Sequence, residues 1–172
     1  RSRCLAWLLF DETCQDEVLI DSLGGPLQCR RHGAWEVSVT LGPITLDTPH
    51  LPLSSGPLVD GVALSIGNPH AVFFVDGDVD IPAVAPAIAR SPLFPEGVNV
   101  GVAQVVDAAT LKLAVWERPG MLTEACGTGA CVASYAGRLR GLLKGEDITV
   151  HLPGGTLHIR LLVDRSEEHT SE

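Results

Sequence analysis

Lysine is almost missing from this chain: its 172 residues hold only Lys112 and Lys144. A Schiff-base mechanism, which needs an activated lysine amine, has little to draw on, so no pyridoxal cofactor is expected. Metal-site spacings are missing as well. There is no Cys-x-x-Cys pair and no His-Glu-x-x-His run, so no metal centre is expected. No apolar run approaches the roughly 18 residues that a membrane span needs. The opening, Arg-Ser-Arg-Cys-Leu-Ala-Trp-Leu-Leu-Phe, has a short apolar stretch and no cleavage site, and is not read as a signal peptide. Basic charge is scarce, with 12 Lys and Arg against 21 Asp and Glu and a formal net charge of -9. That balance argues against nucleic acid or an acidic membrane surface as partner. The five cysteines (Cys4, Cys14, Cys29, Cys126, Cys131) are odd in number and scattered. They form no disulfide framework and suit a reducing, cytoplasmic location.

What is present describes a folded protein. Hydrophobic residues make up 45% and charged residues 19%, enough for a well-formed core. The length suits one ordinary domain or parts of two. Residues 4–10 are apolar on nearly every face and predict a buried helix. Val18 to Leu23 read as a strand broken by Gly24-Gly25-Pro26. Trp35, Val37, Val39 and Leu41 alternate with polar residues, a half-buried strand. Residues 43–60 carry four prolines among Ser, Thr and Gly and predict a linker.

A second strand-rich half follows. Val62 to Ile66 and Ala71 to Val75 predict two strands around Gly67-Asn68-Pro69-His70. Asp80 suits a helix cap with Pro82 in the first turn. Asn99 to Val106 and Leu111 to Trp116 predict two more strands, and Gly127 to Arg140 a helix surrounded by protein. Ile148 to Leu152 and Leu157 to Leu161 predict a hairpin about Pro153-Gly154-Gly155, with His151 and His158 facing each other as plain surface residues. The sum is α+β: short strands around one buried helix.

Cys126 stands at the mouth of that helix. First-turn N–H groups lack partners and the helix dipole favours negative charge there, so the thiol is expected to be acidified toward neutrality. Gly127 and Gly129 leave those N–H groups open to a substrate carboxylate. Three polar interruptions of apolar segments accompany it: Asn68/His70, Asn99 and Glu117/Arg118. Arg118 can hold a carboxylate with paired bonds, the asparagines suit a carboxylate or an ammonium, Glu117 can meet an ammonium, and His70 can titrate near neutral pH. Singly these are capping asparagines and a surface ion pair. Together they line a pocket for a small zwitterion.

Gly67-Asn68-Pro69-His70, Phe94-Pro95-Glu96-Gly97-Val98-Asn99-Val100, Trp116-Glu117-Arg118 and Ala125-Cys126-Gly127-Thr128-Gly129-Ala130-Cys131, in that order, resemble the diaminopimelate epimerase family. Leu152-Pro153-Gly154-Gly155 is similar too. The resemblance covers most of residues 1–162. It implies two pseudo-symmetric α+β domains, each with strands curled around a central buried helix. It implies cofactor-independent epimerisation of LL-diaminopimelate to meso-diaminopimelate, in lysine and cell-wall precursor synthesis, by two cysteines acting as thiolate base and thiol acid. Cys126 would be one of them, with His70 and Glu117 assisting catalysis or meeting the substrate ammonium. Gly127 and Thr128 would hold the reacting carboxylate; Asn68, Asn99 and Arg118 would hold the distal amino-acid end. The partner is a small-molecule amino acid, and a homodimer is compatible with it.

The family's other cysteine lies in a Cys-Gly-Asn-Gly stretch shortly before an Arg-Cys pair that Arg3-Cys4 resembles. No such stretch occurs in these 172 residues. The organisation expected is therefore a truncated first domain with a linker over 1–59, a second domain over 60–164, and an epimerase fragment that is inactive alone. Residues 165–172, Arg-Ser-Glu-Glu-His-Thr-Ser-Glu, contain no apolar residue and read as translated sequencing adapter, a non-native tail. Three other functions compete with the epimerase fragment. One is a non-catalytic amino-acid-binding module. Another is a related racemase or isomerase. The third is a cysteine hydrolase using Cys126 and His70, for which no third group orients the histidine. A phosphate loop at Gly127-Thr128-Gly129 lacks its Lys-Ser/Thr ending.

Overall fold

The computed structural model describes residues 2–22 and 25–162, so residues 165–172 lie outside the described residues. It divides into two compact units: residues 2–45 with 65–68, and residues 46–64 with 69–162.

In the first unit, helix α1 (Ser2–Thr13) packs on an antiparallel sheet of β1 (Glu17–Ser22), β2 (Gly25–Arg31) and β3 (Val37–Thr40). The helix is where residues 4–10 predict it, but it buries one face only. Ala6 and Phe10 close on Cys29, with Val18, Ile20, Leu27, Val37 and Val39 around them, while Leu5 and Leu8 stay exposed. A helix lying on one three-stranded sheet has a single covered side, which corrects the all-round burial expected from composition. The break expected at Gly25-Pro26 is instead the start of β2, with Ser22 opposite Gly25 and Pro26 opposite Asp21. Arg31 lies over the Trp7 and Phe10 rings and donates to Asp11 at 3.0 Å.

The second unit is an eight-stranded mixed sheet with helices on both faces. Its strands are β4 (Thr45–Leu51), β5 (Gly61–Ser65), β6 (Pro69–Phe74), β7 (Asn99–Asp107), β8 (Thr110–Glu117), β9 (Met121–Thr123), β10 (Asp147–Leu152) and β11 (Gly155–Arg160); the helices are α2 (Ile81–Ala89) and α3 (Gly127–Leu139). The order is β11-β10-β8-β7-β6-β5-β4, with β9 also paired to β8. The proline-rich stretch expected as a linker therefore contains an end strand. Pro49 is tolerated there because an end strand leaves one row of backbone groups without ladder partners. His151 pairs with Thr156 and Thr149 with His158, so the two histidines are diagonal rather than opposite.

Alternation separates two faces of the central strands. Ala71, Phe73, Val100 and Val102 join Ile81, Ala85 and Ile88 of α2 in one core. Asp80 caps α2, accepting from the Ala83 N–H at 3.3 Å. The alternate residues face α3, which touches β6, β7, β8, β10 and β11. Ala130, Val132, Ala133 and Ala136 are fully buried, as their all-round distribution predicts. Close approach depends on glycine. A Cβ at Gly137 would stand 2.6 Å from Leu143 Cδ1, and one at Gly129 would stand 2.9 Å from Val115 Cγ2. At the far end of α3, Arg140 donates to the Asp60 carboxylate at 2.6 Å and to the Pro49 carbonyl at 2.8 Å. Those bonds, with His50 beside them, hold the Asp60 carboxyl well below the usual range.

Candidate active site

The sheet register brings three of the sequence-predicted residues onto one face. His70 on β6 lies opposite Asn99 on β7. Val100 lies opposite Trp116, and one step further along that register sets Asn99 against Glu117 on β8. His70, Asn99 and Glu117 thus form a row across three adjacent strands, at the same sheet end and on the α3 side. His70 and Asn99 are 1% and 4% exposed, while Glu117 is half-buried. Cys126 caps the N-terminus of α3, the helix that packs on this face.

Each residue is held by its neighbours. The Asn99 Oδ1 accepts the backbone N–H of Arg118 at 3.0 Å. The Arg118 guanidinium donates to the Glu96 carbonyl at 3.0 Å and lies over Gly97, where a Cβ would stand 3.2 Å from Arg118 Cδ. Two motifs separate in sequence are thereby joined: the turn before Asn99 seats Arg118, and Asn99 fixes its backbone. Glu117 Oε1 accepts the Thr123 hydroxyl at 2.8 Å. Asn68 sits in the bend between β5 and β6, its carbonyl accepting the Ile66 N–H, and clusters with the first unit.

At the helix mouth, Cys126 is in extended conformation and its Sγ accepts the Gly129 N–H at 3.3 Å, with the Thr128 hydroxyl 3.5 Å away. The Ala130 N–H goes to the Cys126 carbonyl. The N–H groups of Gly127 and Thr128 come before the first intrahelical bond, so helix geometry offers them no acceptor. Gly127 has open space around its Cα, which leaves that end clear for a carboxylate.

The charge states differ from those expected. Burial raises the Cys126 pKa above its ordinary value, outweighing the lowering by Thr128 and Gly129, and the nearby Glu117 carboxylate raises it further. The thiol at rest is thus protonated, because removing sulfur from water costs the thiolate more than two weak donors return. Cys131, further into the helix, is pushed up to about 11 by burial, with Cys126 adding to it. His70 does not titrate near neutrality: burial, then the Arg118 charge, lowers it to about 4. It is neutral at pH 7.

Two contributors are not among the site residues read from the sequence. Thr123 reaches Glu117 because β9 folds back on β8 with Thr123 opposite Val115, a pairing that a three-residue strand barely announces. Gly154, read as a hairpin turn and as part of the Leu152-Pro153-Gly154-Gly155 likeness, donates its N–H to the Glu124 carbonyl at 2.7 Å, two residues before Cys126. A groove of about 390 Å³ lined by Asp78, Gln104, Lys112 and His151 shares no residue with this row. Among the described residues no cluster of His, Cys, Asp and Glu could hold a metal ion, and no helix is long and apolar enough to cross a membrane.

Comparison with known proteins shows the family and the fold. The family model described as diaminopimelate epimerase matches residues 62–171. The chain is 40% identical to the diaminopimelate epimerase of Methylocella silvestris over 177 residues, covering 92% of this chain and 61% of that protein. It is also 40% identical to that of Phenylobacterium zucineum over 180 residues, covering 95% and 65%. The chain thus spans about three fifths of the length of these relatives. Among solved structures it is similar to a hydroxyproline epimerase from Agrobacterium vitis with bound trans-4-OH-L-proline. That match has a TM-score of 0.65 at 15% identity, over 97% of this chain and 59% of that one. A probable proline racemase from Agrobacterium radiobacter K84 matches with a TM-score of 0.59, also at 15% identity, over 97% and 68%. These two likenesses establish the fold, α+β with strands around a buried helix.

Proposed function

The chain belongs to the diaminopimelate epimerase family, and we propose that it carries one half of a two-cysteine epimerase acting on diaminopimelate. In this reading the α C–H bond of the LL substrate breaks, its electron pair stays on carbon, and a cysteine thiolate takes the proton. A second cysteine thiol gives a proton to the opposite face, so the meso product forms with no cofactor and the two sulfurs exchange protonation states. Cys126 is one of these sulfurs. The observation that carries the reading is its place: an N-cap thiol on the face that also presents the His70–Asn99–Glu117 row.

The roles follow from the local chemistry. The N–H groups of Gly127 and Thr128 meet the carboxylate at the reacting end, where negative charge develops in the transition state. Cys126, protonated at rest, serves first as the acid; once a proton leaves it, Thr128 and the Gly129 N–H support the thiolate. Glu117 accepts from the thiol or from the substrate ammonium. Neutral His70 offers a donor or an acceptor without adding charge beside Arg118. Arg118 and Asn99 hold the distal amino-acid end, Arg118 through donors beyond the one bonded to Glu96. The five free cysteines suit a cytoplasmic enzyme.

The test uses the chain itself. Diaminopimelate is expected to slow alkylation of Cys126, read by mass spectrometry at that residue. Deuterium exchange at the substrate α-carbon should stay at background, because no Cys-Gly-Asn-Gly stretch is present to supply the second sulfur. Sustained stereoinversion by these 172 residues would overturn the two-cysteine reading. An unprotected Cys126 would overturn its placement at the substrate.

A further inference from the structure

We propose that Thr123 is a positioning residue: its hydroxyl fixes the Glu117 carboxylate beside the Cys126 thiol and so sets the pH range over which that sulfur reacts. The inference rests on the reading of Cys126 as a proton-carrying group and adds a residue outside the motifs that support it. Thr123 ends β9, and its Oγ1 donates to Glu117 Oε1 at 2.8 Å; the Val115 carbonyl, at 3.5 Å, is the weaker alternative. The sheet delivers the hydroxyl there. Val115 pairs with Thr123 and Glu117 with Met121, so Thr123 and Glu117 are diagonal neighbours on one face of an antiparallel pair. Both are half-buried, which limits competition from water for the carboxylate.

A glutamate has three side-chain torsions, and at a strand end little else restrains it. With Thr123 on one oxygen, the carboxylate is held where it acts on Cys126 both as a charge and as an acceptor for the thiol. Other groups also face that sulfur. From α3 come the Thr128 hydroxyl, the Gly129 N–H and the Cys131 thiol. His70 and Asn99 stand in the same row as Glu117 on the neighbouring strands, and the Arg118 charge acts on His70. Burial, Thr128 and Gly129 act on the sulfur more strongly, but of these groups Glu117 is the anion that opposes ionisation, and Thr123 fixes where it stands. Releasing it should make Cys126 easier to ionise.

The experiment is alkylation of the intact chain with iodoacetamide between about pH 6 and 10, followed at Cys126 by mass spectrometry. Glu117→Gln is expected to move the Cys126 profile to lower pH. Thr123→Val and Thr123→Ala are expected to move it the same way, raising the rate at neutral pH on the order of threefold to tenfold. Thr123→Ser, which keeps the hydroxyl, should match the parent. Thr123→Val added to Glu117→Gln should produce no further shift. An unchanged profile in both Thr123 variants overturns the proposal, and so does an equal shift in the Glu117→Gln background, which would mean that β9 acts through its packing. If Glu117→Gln itself leaves Cys126 unmoved, Glu117's part in the proposed function fails as well, which separates the two outcomes.

Discussion

Gly154 donates its N–H to the carbonyl of Glu124 at 2.7 Å, and a Cβ at position 154 would stand 2.9 Å from that same oxygen. The turn of the β10–β11 hairpin therefore holds the loop leading into Cys126 by a bond that only glycine can make at this distance. Gly154→Ala should push the loop away, since the clash is with backbone and no rotamer relieves it. We expect a loss of about 1–3 kcal/mol in stability, with altered Cys126 alkylation and weaker protection by diaminopimelate. Unfolding in urea and the alkylation assay together check this; unchanged alkylation in a folded variant would show that the turn does not position the thiol.

Gly97 makes a second requirement of this kind. Its φ is +76°, and a Cβ there would meet Arg118 Cδ at 3.2 Å. Gly97→Ala should cost about 1–2 kcal/mol for the left-handed backbone alone. It should also displace the guanidinium, so a denaturant titration should show the loss and a binding titration with diaminopimelate should weaken. Intact binding would remove Arg118 from the substrate contacts.

The buried histidine makes stability depend on pH. His70 titrates near 6.5 in an unfolded chain and at about 4 here. Its folded value is depressed, so as pH falls through 6.5 the unfolded chain takes up the proton first. The neutral imidazole's contribution is whole above about pH 6.5 and is lost progressively toward pH 4, by about 3 kcal/mol in all. His70→Gln should flatten that part of the curve. Melting temperatures of both proteins at about pH 7 and pH 4.5 decide it, since every other group that titrates there is common to the two.

These expectations show where the sequence could be read and where it could not. Helix α3 was legible from its glycine-bounded run of small residues, and β7 and β8 from two apolar stretches on either side of Asp107-Ala108-Ala109, because those signals are local. β2 was not, since Gly25 and Pro26 look like a break and become strand only through pairing with β1. β4 was hidden by Pro49, which an end strand admits. At the site, residue identities were readable while charge states were not. The helix mouth argues for an acidic Cys126, but the depth of its burial, which reverses the sign, is set by how closely Gly129 lets α3 approach Val115. His70 is likewise depressed by a sheet face that no local pattern displays.

That approach can be tested at its closest point. A Cβ at Gly129 would lie 2.9 Å from Val115 Cγ2 and 3.1 Å from Cys126 Sγ. Gly129→Ala should destabilise the protein by about 1–3 kcal/mol through overpacking against the buried Val115. Adding Val115→Ala removes one of the two clashes and should recover part of that stability, giving a double-mutant coupling of opposite sign to the single losses. The second clash remains, so Cys126 should still be displaced and its alkylation profile should stay altered even where the melting temperature recovers. Stability would then follow the Val115 contact and thiol reactivity the sulfur contact. If both recovered together, Gly129 would matter for packing alone, and the link from helix approach to thiol chemistry would be lost.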